Sequence, residues 1–172
     1  MKDIVVYESA TGFTERYAKW IAEALDCEAK PLKHTSGEEI SGFERVVFGG
    51  WIMGNGIVGL DKLKGMASPV AVFAVGSTPA FDEVISSVKV QNKLDDTPMF
   101  YMVGGFRFEK LGFAKRMILK ALKKSVAKKK APNRQEAFMA EALTTSFDNS
   151  SREQIIPLVQ FVKSLREKRG EA

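Results

Sequence analysis

Residues Tyr7 to Ala18 read YESATGFTERYA. Immediately before them runs a short apolar segment, Ile4 to Tyr7. From Tyr17 on, Tyr17, Ala18, Ile21, Ala22 and Leu25 recur at the three- and four-residue spacing of a helix with one core-facing stripe. The chain therefore leaves a strand, passes through Ser9, Ala10, Thr11, Gly12, Phe13 and Thr14, and enters a helix at once.

The same alternation continues downstream. Apolar runs of strand length recur at Glu28 to Leu32, Val46 to Phe48, Val70 to Val75 and Met99 to Val103. Several are apolar at nearly every position, as strands covered on both faces must be. Helical patterns lie between them: Thr14 to Leu25, a short one after Gly59, Phe81 to Asn92, a long basic one over Glu109 to Lys129, a short one over Glu136 to Leu143, and Ser151 to Lys168. The last has capping-box candidates in Ser150 with Glu153 and Ser151 with Gln154, while Pro157 leaves its start open by several residues. The reading predicts an α/β fold, a doubly wound parallel sheet of five strands, in one domain spanning 1–172.

Bulk properties bound the function. The 172 residues are 45% hydrophobic and 27% charged, ordinary for a soluble domain that buries a full core without covalent staples. A single cysteine, Cys27, excludes an internal disulfide, and Cys27 with His34 does not make up a zinc site. No leader pattern and no run of membrane-spanning length is present, so a cytoplasmic location is expected. The charge is uneven: Arg107 to Arg134 holds eleven Lys or Arg and one acid, a local +10 that leaves −5 for the rest of a +5 chain.

In open parallel sheets, ligands bind outside the carboxyl ends of the strands. The loop Ser9 to Thr14 is at such an end. Thr14 is the expected N-cap of the following helix, and loop amides with the helix dipole favour an anion. Ser9, Thr11 and Thr14 add three hydroxyls, which suits the many acceptor oxygens of a phosphate monoester. The lysine of a triphosphate-binding loop and the glycine pattern of a dinucleotide site are both missing.

Two further loops belong to the same edge. Gly49 to Gly59, GGWIMGNGIVG, offers Trp51, Ile52 and Met53 as a surface for a large flat apolar ligand. The literal G-x-G-x-x-G at Gly54, Gly56 and Gly59 stands five residues beyond its strand and is a chance match. Val75 to Phe81, VGSTPAF, adds Gly76, Ser77, Thr78 and Phe81. Together the three loops describe a phosphate pocket beside an aromatic slot.

These residues resemble the flavodoxin-like family that binds FMN. The segment Ser9-Ala10-Thr11-Gly12-Phe13-Thr14 looks like its T/S-x-T-G-x-T phosphate motif, with Phe13 where the family usually has a polar residue, and RVVFGGWIMGNG looks like its second flavin loop. Within the family, that loop and MVGGFRFEKLGFAKRMILKALKK, from Met102 to Lys124, resemble the flavodoxin-type, menaquinone-dependent protoporphyrinogen dehydrogenases. The resemblance implies strand order 2-1-3-4-5 with helices on both faces, and FMN held by Ser9, Ala10, Thr11, Gly12, Phe13, Thr14, Trp51, Ile52, Met53, Gly54, Asn55, Gly76, Ser77, Thr78 and Phe81. It implies no catalytic side chain, only a backbone group near Gly54 and Asn55 facing the flavin N5.

Two functions follow from the resemblance: an FMN-dependent oxidoreductase acting on a quinone- or porphyrin-type molecule, or a soluble electron carrier between redox partner proteins. In the basic helix, Leu111, Ala114, Ile118, Leu122 and Val126 form an inward stripe, and Arg116, Lys120, Lys123 and Lys124 form an outward face. A basic helix from Glu109 to Lys130 is expected to make peripheral contact with an anionic membrane, at its inner face. Nucleic acid is not an expected partner, because no stacking platform accompanies Lys128 to Lys130.

Overall fold

The structure, a computed structural model, describes residues 2–110, 113–130, 132, 134–142 and 145–167. The central sheet contains β1 (Asp3–Glu8), β2 (Glu28–Pro31), β3 (Arg45–Met53), β4 (Gly56–Ile57), β5 (Ala71–Gly76) and β6 (Met99–Val103). Its path is β2-β1-β3-β5-β6, all parallel, and β4 pairs antiparallel with the end of β3. Counting only the parallel strands, this is the order 2-1-3-4-5, an α/β doubly wound sheet with the flavodoxin-like topology.

Period-two alternation sorts the strand residues onto two faces. Val5, Tyr7, Val47, Phe73 and Val75 pack under α1 (Phe13–Leu25) and α7 (Ile156–Glu167). Ile4, Val6, Phe48, Val72 and Ala74 face α2 (Gly37–Ser41), α3 (Leu60–Lys64) and α4 (Asp82–Gln91). The first helix of this set, α2, is absent from the sequence reading; its signal is Ser36-x-x-Glu39, where the Ser36 hydroxyl accepts from the Glu39 amide at 3.1 Å.

The sequence places the end of the third strand at Phe48, but β3 continues to Met53. Its glycines explain both facts. A Cβ at Gly49 would run into the Phe73 ring, and one at Gly50 into Ile57, so neighbours fill the notches that read as loop. Beyond Met53 the chain reverses at Gly54 and Asn55, with φ of 55° and 68°, the two-residue turn that matches strand twist, and β4 returns along β3.

At the far edge, β7 (Gly105–Phe106) pairs with β8 (Phe147–Asp148), and between them the chain makes an excursion through α5 (Phe113–Ala127) and α6 (Arg134–Ala142), which pack on each other. The expected inward stripe of the basic helix is corrected at Ile118, which is 66% exposed; Val126 is buried as expected. With α6 rather than the sheet as its neighbour, the helix has only a narrow face to bury. Leu111, Leu143 and Lys168 lie outside the described residues. At the carboxyl end, Pro157 falls in the first turn of α7, after a 3-10 turn at Arg152–Ile155 that Ser151 caps. Gln154 is no cap partner; its Oε1 accepts from the Val103 amide at 2.6 Å, tying this turn to β6.

Candidate functional site

The loop after β1 closes on itself. The Gly12 amide donates to Ser9 Oγ at 3.2 Å, and Gly12, with φ 95°, is the N-cap of α1. This corrects the expectation that Thr14 caps the helix. A cap in the left-handed region suits a residue without Cβ, and Thr14 falls inside the first turn, buried. No side chain of the loop bonds the first-turn amides, so α1 presents its positive end uncapped.

That end opens on a cavity of about 460 Å³, within the range of small-molecule sites. Ala10, Thr11, Phe13 and Thr14 line it from the first loop, Trp51 and Ile52 from β3, and Val75, Gly76 and Ser77 from β5 and its exit. Gly105 and Phe106 of β7 complete the wall. The sheet topology explains the convergence: β1, β3 and β5 are neighbours, and their carboxyl ends share one edge.

Eight residues named from the sequence thus come together. The other seven sit around the cavity rather than on it. Ser9 supports Gly12, and both shape the loop. Met53 is 64% exposed on the β3–β4 hairpin, and Gly54 and Asn55 make its turn. The Asn55 carbonyl accepts from Asn92 Nδ2 at 2.8 Å, so that acceptor is already engaged. Thr78 is buried, and its carbonyl accepts from the Tyr101 hydroxyl at 2.7 Å. Phe81 precedes α4 and packs into the second core cluster, with the Arg134 guanidinium 5.8 Å from its ring centroid.

Sequence reasoning missed Gly105 and Phe106. The available signal was Gly104-Gly105 directly after a strand, followed by Phe106 and Arg107. The structure shows why both positions are glycine: a Cβ at Gly104 would press on Val75 and Phe13, and one at Gly105 on the Phe147 carbonyl and the Phe13 ring. Phe13, the departure from the phosphate motif, is therefore a packing residue whose ring fills the space under this pair.

Phe13 also organises charge. The Arg107 guanidinium lies 5.0 Å from its ring centroid and that of Arg16 lies 5.6 Å away. Arg16 is neutralised by Asp148 at 2.7 Å, which ties α1 to β8. Burial would raise the Asp148 carboxyl, but hydrogen bonds from Ser150 and Arg16 outweigh it and hold the group below its ordinary value. Among the described residues, Arg107 Nε is buried without a hydrogen-bond partner, so a donor with positive charge stands beside the cavity wall. Tyr101, under Gly76, is pushed by burial up to about 12 and stays a neutral donor.

This donor set fits a ligand with one anionic end and one flat apolar part. The uncapped helix end, Thr11, Thr14 and the cation of Arg107 suit the anion; Trp51, Ile52 and Phe106 suit the ring. Among the described residues that line the cavity, none carries a titratable side chain.

Residues 4–133 match the family described as the flavodoxin domain. No curated protein matches the chain. Among solved structures, a flavodoxin from the domain Archaea is 19% identical over 59% of this chain and 78% of its own, with a TM-score of 0.39. Oxidised flavodoxin 2 from Bacillus cereus is 18% identical over 60% and 86%, with 0.39. The flavodiiron core of a Synechocystis protein is 17% identical over 60% of this chain but only 29% of its own, with 0.44.

Proposed function

Because the chain belongs to the flavodoxin domain family, we propose that it binds FMN in the cavity and works as a redox protein. The observation that carries this is the uncapped amino end of α1, opening with Thr11 and Thr14 onto the same cavity as Trp51 and Phe106. The phosphate would sit at the helix end and the isoalloxazine between the β3 and β7 walls. Bound there, FMN would supply one- and two-electron transfer, while the protein would supply orientation, donors for the phosphate and an apolar wall for the ring.

The reading favoured here is an oxidoreductase that resembles protoporphyrinogen IX dehydrogenase and acts at a membrane surface. What supports it is the strand, glycine pair, Arg-aromatic step and basic helix from Met102 to Lys124. A second reading, a flavodoxin-type carrier between redox proteins, is favoured by a cavity whose described lining residues carry no acid or base.

Titration of the apoprotein with FMN and riboflavin tests the common part. FMN is expected to bind with its fluorescence quenched, and riboflavin more weakly for want of the phosphate. A protein that stays colourless with excess FMN sinks both readings. Quinone-coupled oxidation of protoporphyrinogen then selects the first, and reduction by a flavodoxin reductase without small-molecule turnover selects the second.

A further inference from the structure

Helix α5 carries a face that the rest of the described protein leaves open. Met117 is 50% and Ile118 66% exposed, while Lys120, Ala121, Lys123 and Lys124 are exposed beside them. At about 100° per residue, Met117, Ile118, Lys120, Ala121 and Lys124 share one arc, and Val126, buried, lies opposite Met117. Past the helix end, Lys128 and Lys130 extend the charge, whereas Lys129 is drawn to Glu136 at 2.5 Å.

Two large apolar side chains standing among amines are poorly served by water. They are well served by the boundary of a bilayer, where Met117 and Ile118 enter the acyl region and the lysine amines reach the phosphates. We propose that this face of α5 is a docking surface for an anionic lipid bilayer. Charge complementarity decides the occupant and the orientation. The segment Arg107 to Arg134 carries +10 and the remainder −5, so an anionic leaflet attracts the α5–α6 arm and repels the body. A nucleic acid would satisfy the amines and leave Met117 and Ile118 in water.

The arm starts at β7, whose Gly105 and Phe106 wall the cavity, so docking brings that wall toward the lipid. This use of the surface rests on the FMN reading; the contact itself does not.

Sedimentation of the full chain with vesicles of phosphatidylcholine, with and without phosphatidylglycerol, tests it. Binding is expected only with phosphatidylglycerol. Lys120→Glu with Lys124→Glu should lower the partition roughly tenfold or more. Met117→Ser with Ile118→Ser should leave weaker binding that added salt abolishes. Both pairs should keep the wild-type circular dichroism. Equal binding to neutral vesicles, binding unaffected by either pair, or displacement from vesicles by duplex DNA would overturn the proposal. So would retention on an acidic protein with no vesicle binding. FMN content is read on the same samples: a flavin-loaded protein that does not sediment defeats this inference alone, and a colourless one that does defeats the flavin reading alone.

Discussion

Asn92 holds Asn55. The carboxamide of Asn92, at the end of α4, donates through Nδ2 to the Asn55 carbonyl at 2.8 Å, and its Oδ1 accepts from the Ile57 amide at 2.8 Å. A third bond, to the Val88 carbonyl at 2.6 Å, anchors the side chain to its own helix. One residue thus clamps the turn that follows Trp51 and Ile52. Asn92→Ala removes all three bonds and is expected to cost about 1–3 kcal/mol in urea denaturation. Hydrogen exchange should localise the loss to the Ile57 amide, and an unchanged exchange rate there would count against the clamp.

The first loop makes a cleaner prediction about binding than about stability. Thr11→Ala with Thr14→Val removes two hydroxyls while sparing the volume of the buried Thr14. FMN affinity should fall roughly a hundredfold or more, from the loss of two hydrogen bonds to a charged group worth about 1.5–3 kcal/mol each. Riboflavin affinity should hardly change. Equal losses for both ligands would place the phosphate elsewhere.

At the opposite edge of the sheet, Asp3 is buried between two arginines. Its Oδ1 meets Arg45 Nε at 2.7 Å and its Oδ2 meets Arg166 Nη2 at 2.6 Å. Arg166 also donates to the Leu25 carbonyl at 2.7 Å, which joins β1, α1 and α7. Asp3→Asn removes the buried carboxylate charge that both arginines meet and should cost about 3–5 kcal/mol. Thermal denaturation checks this, and FMN affinity measured below the transition should stay at the wild-type value.

Alkaline pH should weaken the fold through Cys27 and Tyr101. Burial pushes the Cys27 thiol up to about 11 and the Tyr101 hydroxyl up to about 12. In the unfolded chain these groups ionise near 9 and 10, so the unfolded state loses protons first and stability falls as pH rises from about 9 through 12. Below pH 9 the contribution is fully present. Cys27→Ser should flatten the profile between about 9 and 11, and Tyr101→Phe the next stretch; urea midpoints measured across this range decide it.

The sequence carried the sheet well and its edges poorly. Four of the five parallel strands are legible because each holds a run apolar at nearly every position, β2 (Glu28–Pro31) being a half-exposed strand of mixed residues, and α1 is legible because its stripe is regular. The far half of β3 was hidden because its glycines are defined by what other residues put into them: the Phe73 ring over Gly49 and Ile57 against Gly50. The cavity wall at Gly105 and Phe106 was hidden for a related reason, since the residues that a Cβ at Gly104 or Gly105 would meet, Phe13, Val75 and Phe147, are distant in the sequence. Thr11, Thr14, Trp51 and Ser77 were legible because a strand end followed by hydroxyls or an aromatic is local information. The face of α5 was misjudged at Ile118 because periodicity reports an apolar stripe without reporting how wide its neighbour is.

The two-stranded pairing of β7 with β8 has a further consequence. Phe106 faces Phe147 across it, with ring centroids 6.5 Å apart, so the chain leaves for α5 and comes back from α6 at a single place. Topologically the arm is an excursion that begins and ends at this clasp. A two-residue hairpin turn could join Phe106 to Phe147 directly, giving a shortened protein that keeps the pocket and loses the arm. In such a fold the cavity and the arm outside it are separable modules, and one can be exchanged while the other is kept intact.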